Sequence, residues 1–254
     1  MYSIAAVGVL RALEAAGIPV VAVAGTSGGA MVAATIAAGL GGERIADLAR
    51  RLDWRDLVQL APRTMGVFRG ERLARYIERI TGRARLEELS LPCAAVCTDI
   101  ETGEEVRLTR GPLGTAVQAS AAIPGLFQPV NWEDRLLVDG GIVANLPVAA
   151  ARDLRPAMIV AVDVLTCSAG RQRRLRTGVH VALRAYHAMV HRLSETEARL
   201  ADVVVQPDVT SCSVLNFRDA SRLIAAGEEA MRALIPHVRA VLADRLAGAA
   251  DPRR

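Results

Sequence analysis

Residues 19–40 read PVVAVAGTSGGAMVAATIAAGL, and the way this stretch folds decides the rest of the chain. An apolar, β-branched run from Val20 to Ala24 meets Gly25-Thr26-Ser27-Gly28-Gly29, and an Ala-rich run follows at once. That order predicts strand, tight turn, helix. A serine at the tip of such a turn is pushed out of the sheet. Its neighbours must be small because the backbone doubles back, and the following helix aims its free N–H groups at whatever the serine attacks. Ser27 is therefore a candidate nucleophile, with Gly25, Thr26, Gly28 and Gly29 shaping its turn. The chain is uncharged from Ala15 to Gly42, which is long enough for a membrane span. Five consecutive Gly, Thr or Ser residues break a helix in its middle, however, and a buried strand plus a buried helix explains the same hydrophobicity.

Around this centre lie 254 residues, 52% hydrophobic and 23% charged, enough for a sizeable core, and no linker or repeat divides them. The expectation is a single domain over 1–254. The sequence has no lysine, so its formal charge of +4 rests on arginine. A mildly basic arginine surface suits anionic lipid headgroups or nucleic acid, but aromatics at 3% supply no stacking platform for single strands, so nucleic acid is not expected as a partner. Cys93, Cys97, Cys167 and Cys212 show no metal-type pairing with histidine and read as reduced packing thiols. No cofactor or metal is expected. Arg11 and Glu14 interrupt the first apolar run, so no cleavable signal is read there, and the cytoplasm is the default location.

Along the chain, Ile4, Val7, Leu10 and Leu13 recur at helical spacing until Gly17 closes the helix. Glu43–Leu52 and Glu71–Ile80 predict further helices, with a less regular segment from Asp53 to Gly70 between them. Pro92–Cys97 and Glu105–Thr109 predict strands joined by a turn at Thr102-Gly103. Gly114–Ala122 predicts a helix stopped by Pro124. Arg135–Val138 predicts a strand entering Asp139-Gly140-Gly141, and Ala157–Leu165 a buried strand. Val179–Leu200 should be a long helix, Val203–Val209 a strand, and Ala220–Ala247 a helix interrupted by Pro236. Helices alternating with apolar strands predict an α/β fold, a three-layer α/β/α sandwich around a mostly parallel sheet. Thr166 to Gly178 breaks this pattern: there Arg171, Arg173, Arg174 and Arg176 stand in a polar loop, a candidate peripheral contact with a membrane surface.

A serine hydroxyl needs a base within hydrogen-bond reach. Asp139 ends a strand as Ser27 does, and in a parallel sheet the carboxyl ends of strands gather along one rim. Gly140 and Gly141 let the backbone turn sharply and leave room beside the carboxylate. Asp-Gly-Gly alone would read as a plain turn.

The combination is more specific. Gly25-Thr26-Ser27-Gly28-Gly29, then residues 119–130 (ASAAIPGLFQPV), then Val138-Asp139-Gly140-Gly141 with Asn145-Leu146-Pro147-Val148, resembles the patatin-like phospholipase family. The opening helix and Thr98–Gly103 are similar too, so the likeness runs over about residues 3 to 165 in the family's order. The resemblance implies a patatin-like fold and a Ser-Asp dyad. Ser27 attacks a fatty acyl ester, Asp139 takes its proton, and water hydrolyses the acyl-enzyme without histidine. The expected partner is an acyl lipid such as a phospholipid or glyceride. Members carry a strand and a glycine-rich oxyanion loop before the first helix, whereas this chain begins at Met1-Tyr2-Ser3, already beside that helix. The expectation is a start placed too late or a partial enzyme, with Gly28 N–H as the remaining oxyanion donor. Two rivals stand beside this reading. One is a Ser-His-Asp hydrolase using His180, His187, His191 or His237; the other is a non-catalytic acyl-lipid-binding protein.

Overall fold

The computed structural model describes residues 2–61, 65–165, 178–213 and 216–249. The opening helix α1 (Ala5–Ala15) follows a 3-10 turn at Tyr2–Ile4 and ends where Gly17 takes φ +68, the left-handed cap expected of it. The deciding stretch folds as strand β1 (Val23–Thr26) and helix α2 (Gly28–Ala37), which accounts for its hydrophobicity by burial. Among the described residues no helix is long and apolar enough to cross a membrane.

Helices α3 (Gly42–Arg51) and α4 (Trp54–Leu57) lead to the short strands β2 (Gln59–Leu60) and β3 (Gly66–Arg69), then to α5 (Glu71–Thr81). The central strand β4 (Cys93–Asp99) has all seven residues buried. Its alternate side chains serve two layers. Cys93, Ala95 and Cys97 pack with α2, α5 and α6 (Leu113–Ser120), while Ala94 and Val96 pack with Ala144 and Ala150 near α7 (Val148–Asp153). A strand covered on both faces in this way reads as continuous apolar sequence.

The sheet around β4 is mixed, not mostly parallel. β4 pairs in parallel with β1, but antiparallel with β5 (Glu105–Leu108) and with β8 (Arg135–Asp139), which itself pairs antiparallel with β7 (Val130–Trp132). The reason is connection length. β4–β5 and β7–β8 are joined by short turns, with Gly103 and Glu133 at positive φ, and short turns permit only antiparallel pairing. Long helical connections give the parallel pairs, β1 with β4 and β9 (Val160–Val162) with β10 (Val203–Val205). A third, small sheet joins β2, β3 and β6 (Gly125–Phe127). The apolar run 157–165 yields only the three residues of β9, and 203–209 only the three of β10.

The register around β4 has a consequence for the site. Ala95 and Val96 pair with both β1 and β5, while Cys97 and Thr98 pair with both β5 and β8. Strand β5 thus takes one edge of β4, and β1 and β8 share the other edge, running toward each other. They meet where Thr26 lies opposite Val96 and Asp139 opposite Cys97.

The last helices complete the layers. α8 (Gly178–Ala198) crosses beside the end of β8, and α9 (Ala220–Ala249) packs along α1. Pro236 does not interrupt α9, which continues through it; the ring removes one backbone donor without ending the helix. The contact of α9 with α1 is backbone against backbone. A Cβ on Gly8 would fall 1.9 Å from the Ile224 carbonyl oxygen, and one on Gly227 would fall 1.9 Å from that of Ala5. Cys93, Cys97 and Cys212 are buried free thiols. Cys167, Arg171, Arg173, Arg174 and Arg176 lie outside the described residues.

Candidate active site

Ser27 stands between β1 and α2 with φ 56° and ψ −123°, a conformation that non-glycine residues adopt only where the surroundings impose it. Three neighbours impose it. The turn is so tight that a Cβ on Gly25 would lie 2.3 Å from the Gly29 carbonyl oxygen, so position 25 admits no side chain. The Thr26 hydroxyl donates to the Ala144 carbonyl at 2.6 Å and ties the end of β1 to the segment after β8. Finally, the backbone N–H of Ser27 donates to Ser120 Oγ at 2.9 Å, and that hydroxyl donates onward to the Val96 carbonyl at 2.6 Å. Ser120, at the end of α6, is fully buried.

Asp139 reaches the same place from the opposite direction. Its backbone N–H donates to the Ala122 carbonyl at 2.9 Å, and its carbonyl accepts the Thr98 hydroxyl at 2.9 Å. Its side chain is 1% exposed. Oδ1 accepts the Gly141 N–H at 2.7 Å and the Tyr186 hydroxyl at 3.1 Å, whereas Oδ2 is buried without a hydrogen-bond partner among the described residues. Burial pushes the carboxyl pKa up to about 6; the Ser27 hydroxyl, the Gly141 N–H and the Tyr186 hydroxyl each pull it down. Ser27 is thus near enough to the Asp139 carboxyl group to favour its ionised form.

Ser27 and Gly28 open onto a cavity of about 910 Å³. Its walls are mostly apolar, with Met31 from α2, Leu73 and Ile77 from α5, and Phe127 from β6. Gly28 and Gly29 begin α2, so their N–H groups have no acceptor within the helix and stand where an anion is favoured. Polar groups enter the cavity from α8, where Arg184, His187 and His191 share the lining. Histidine is present in the cavity, then, but His191 Nδ1 faces Glu195 at 3.7 Å, and the hydrogen bonds found at Ser27 and Asp139 involve no histidine.

The residues singled out in the sequence come together: Gly25 and Thr26 behind Ser27, Gly140 and Gly141 behind Asp139. A Cβ on Gly140 would lie 2.3 Å from the Val96 carbonyl oxygen. Two side chains were missed. Ser120 sits inside the quoted 119–130 segment, yet nothing local to it announces a bond to a residue 93 positions away. Tyr186 lies in a long helix whose periodicity says nothing about Asp139.

Comparison with known proteins bears on the family and the fold. The family model for patatin-like phospholipases matches residues 1–152. An uncharacterized NTE family protein of Mycobacterium tuberculosis is 37% identical over 170 residues, covering 66% of this chain and 47% of its own length. A second from the same organism is 30% identical over 253 residues, 90% of this chain and 43% of its own. Patatin-like phospholipase domain-containing protein 6 of Mus musculus is 34% identical over 169 residues, 62% of this chain but 12% of the mouse protein. The chain spans less than half the length of these curated relatives. Among solved structures, VipD from Legionella pneumophila superposes with a TM-score of 0.65 at 16% identity, over 93% of this chain and 65% of that one, a likeness of fold.

Proposed function

Because the chain belongs to the patatin-like phospholipase family, we propose that it is a serine hydrolase of fatty acyl esters, with Ser27 as nucleophile and Asp139 as its base. The observation that carries this reading is a buried Asp139, its Oδ2 without a hydrogen-bond partner among the described residues, beside a strained Ser27 that lines a large, mostly apolar cavity.

In the first half-reaction Asp139 takes the Ser27 proton as Oγ attacks the ester carbonyl. The negative charge that develops on the carbonyl oxygen is met by the Gly28 N–H at the start of α2. As the intermediate collapses, the alcohol leaves with the proton from Asp139, and the acyl group stays on Oγ. Water then repeats the sequence, giving its proton to Asp139 and releasing the fatty acid and free serine. A carboxyl group of pKa about 6 is well matched to this work near neutral pH, because it is mostly ionised yet a stronger base than an exposed aspartate. The apolar cavity suits an acyl chain, and the expected substrates are phospholipids, lysophospholipids or glycerides.

A fluorophosphonate probe tests the proposal. It should label the protein at Ser27, and labelling should disappear in Ser27→Ala and fall at least 100-fold in rate in Asp139→Asn. Undiminished labelling of either variant refutes the dyad; a folded protein that takes no label at all points instead to a lipid-binding role.

A further inference from the structure

We propose that Tyr186 is a positioning residue for Asp139, and that Gly141 lacks a side chain in order to admit the Tyr186 hydroxyl; this rests on the acyl-hydrolase reading above.

An aspartate offers two equivalent oxygens, and a base that must collect one proton from one direction has to be made unequal. Here the inequality is built. Both donors to the carboxylate, the Gly141 N–H and the Tyr186 hydroxyl, converge on Oδ1. Among the described residues Oδ2 receives no donor, so it is the oxygen left to accept from Ser27. Two donors on one oxygen also fix the rotation of the carboxyl plane, which neither could do alone.

The second glycine of the Asp-Gly-Gly segment is explained by the same contact. Gly141 is not among the glycines with positive φ, so its backbone would accept an ordinary residue. The obstacle is space. A Cβ at 141 would lie 2.6 Å from the Tyr186 hydroxyl, closer than a carbon can approach it, and a tight 3.0 Å from Asp139 Oδ1. Gly141 therefore serves the carboxylate with its N–H and the tyrosine with its missing side chain.

Tyr186 is held there by its helix. Further along α8, Ser194 Oγ accepts from Asn145 Nδ2 at 2.8 Å, and a Glu197 carboxylate oxygen accepts the Leu146 N–H at 2.8 Å. Three residues of α8 thus grip the segment 139–146 in register. A phenol suits the position chemically. Burial and the neighbouring carboxylate both raise the Tyr186 pKa, so the hydroxyl stays a neutral donor throughout the range in which Asp139 titrates.

The test compares pH profiles of kcat/KM on a short p-nitrophenyl ester, after Ser27→Ala and Asp139→Asn have been checked with the fluorophosphonate. Tyr186→Phe removes a donor that favours the carboxylate, so the Asp139 pKa rises and the acid limb moves to higher pH, by about one to two units for a hydrogen bond to a charged group. The rate at pH 6 should then fall about tenfold more than the rate at pH 9. Gly141→Ala should move the limb in the same direction, and in the Tyr186→Phe background it should move it no further. A limb that stays at the wild-type pH in Tyr186→Phe overturns the proposal, whatever happens to the melting temperature, because a purely structural tyrosine would alter stability alone. Should that variant fail to fold, the Gly141→Ala limb decides the matter. Full labelling of Ser27→Ala would sink the hydrolase reading itself, a result distinguishable from an unmoved limb in an enzyme whose dyad has passed its own test.

Discussion

Ser120 Oγ accepts the backbone N–H of Ser27 at 2.9 Å while donating to the Val96 carbonyl at 2.6 Å, so one hydroxyl on α6 couples the strained residue to the central strand. Ser120→Ala leaves both of those backbone groups without this partner in a part-buried to buried setting. The expected cost is about 1–3 kcal/mol of stability, read from urea unfolding. Because the same bond helps hold Ser27 at φ 56°, kcat on a short ester should drop at least about tenfold, the equivalent of roughly 1.4 kcal/mol. An unchanged kcat would show that the turn holds Ser27 without Ser120.

The buried carboxylate makes a pH-dependent demand on stability. Folding raises the Asp139 pKa from 3.8 to about 6, so the folded protein binds this proton more tightly than the unfolded chain does. Its stability therefore falls as pH rises from about 4 to about 6, by roughly 3 kcal/mol, and stays reduced above that. Asp139→Asn should accordingly melt at a higher temperature than the wild type at pH 8, with the gain shrinking toward zero near pH 4. Equal melting at pH 8 would show that the site tolerates the charge without penalty.

His187 and His191 line the cavity, and the hydrogen bonds described for Ser27 and Asp139 involve neither. The double variant His187→Gln/His191→Gln should keep fluorophosphonate labelling within about threefold of wild type, since losing a general base costs on the order of 100-fold or more. Collapse to the level of Ser27→Ala would place a histidine in the mechanism.

Met31 lies on α2, one turn beyond Gly28, and faces the cavity. Met31→Trp fills volume there. Hydrolysis of a long-chain ester should fall about tenfold relative to that of a butyrate ester, the scale on which apolar pockets discriminate by size. Equal losses on both substrates would show that the acyl chain lies elsewhere.

What the sequence made legible was local. The turn around Ser27, α1 with its glycine cap, α5 with Leu73 and Ile77 inward, and the strand ending at Asp139 all carry their signals within a few residues. Sheet order carries no such signal. The approach of Ser27 to Asp139 was expected from parallel strands sharing a rim, but it arises from β1 and β8 running head to head along one edge of β4. The β2–β3–β6 sheet went unread because its strands are two to four residues long and pair across distant sequence. Ser120 and Tyr186 escaped for a related reason, since each acts on a partner 93 or 47 positions away through a single polar atom.

The crossing of Gly8 over Ile224 and of Gly227 over Ala5 sets an order of events for the newly made chain. Helix α1 carries Val7 to the cavity wall, and the turn ahead of it carries Ser3 to within contact of Gly28. Both depend on a surface that the ribosome delivers some 220 residues after α1 emerges. The enclosure around Ser27 and Asp139 is therefore complete only once α9 lies against α1.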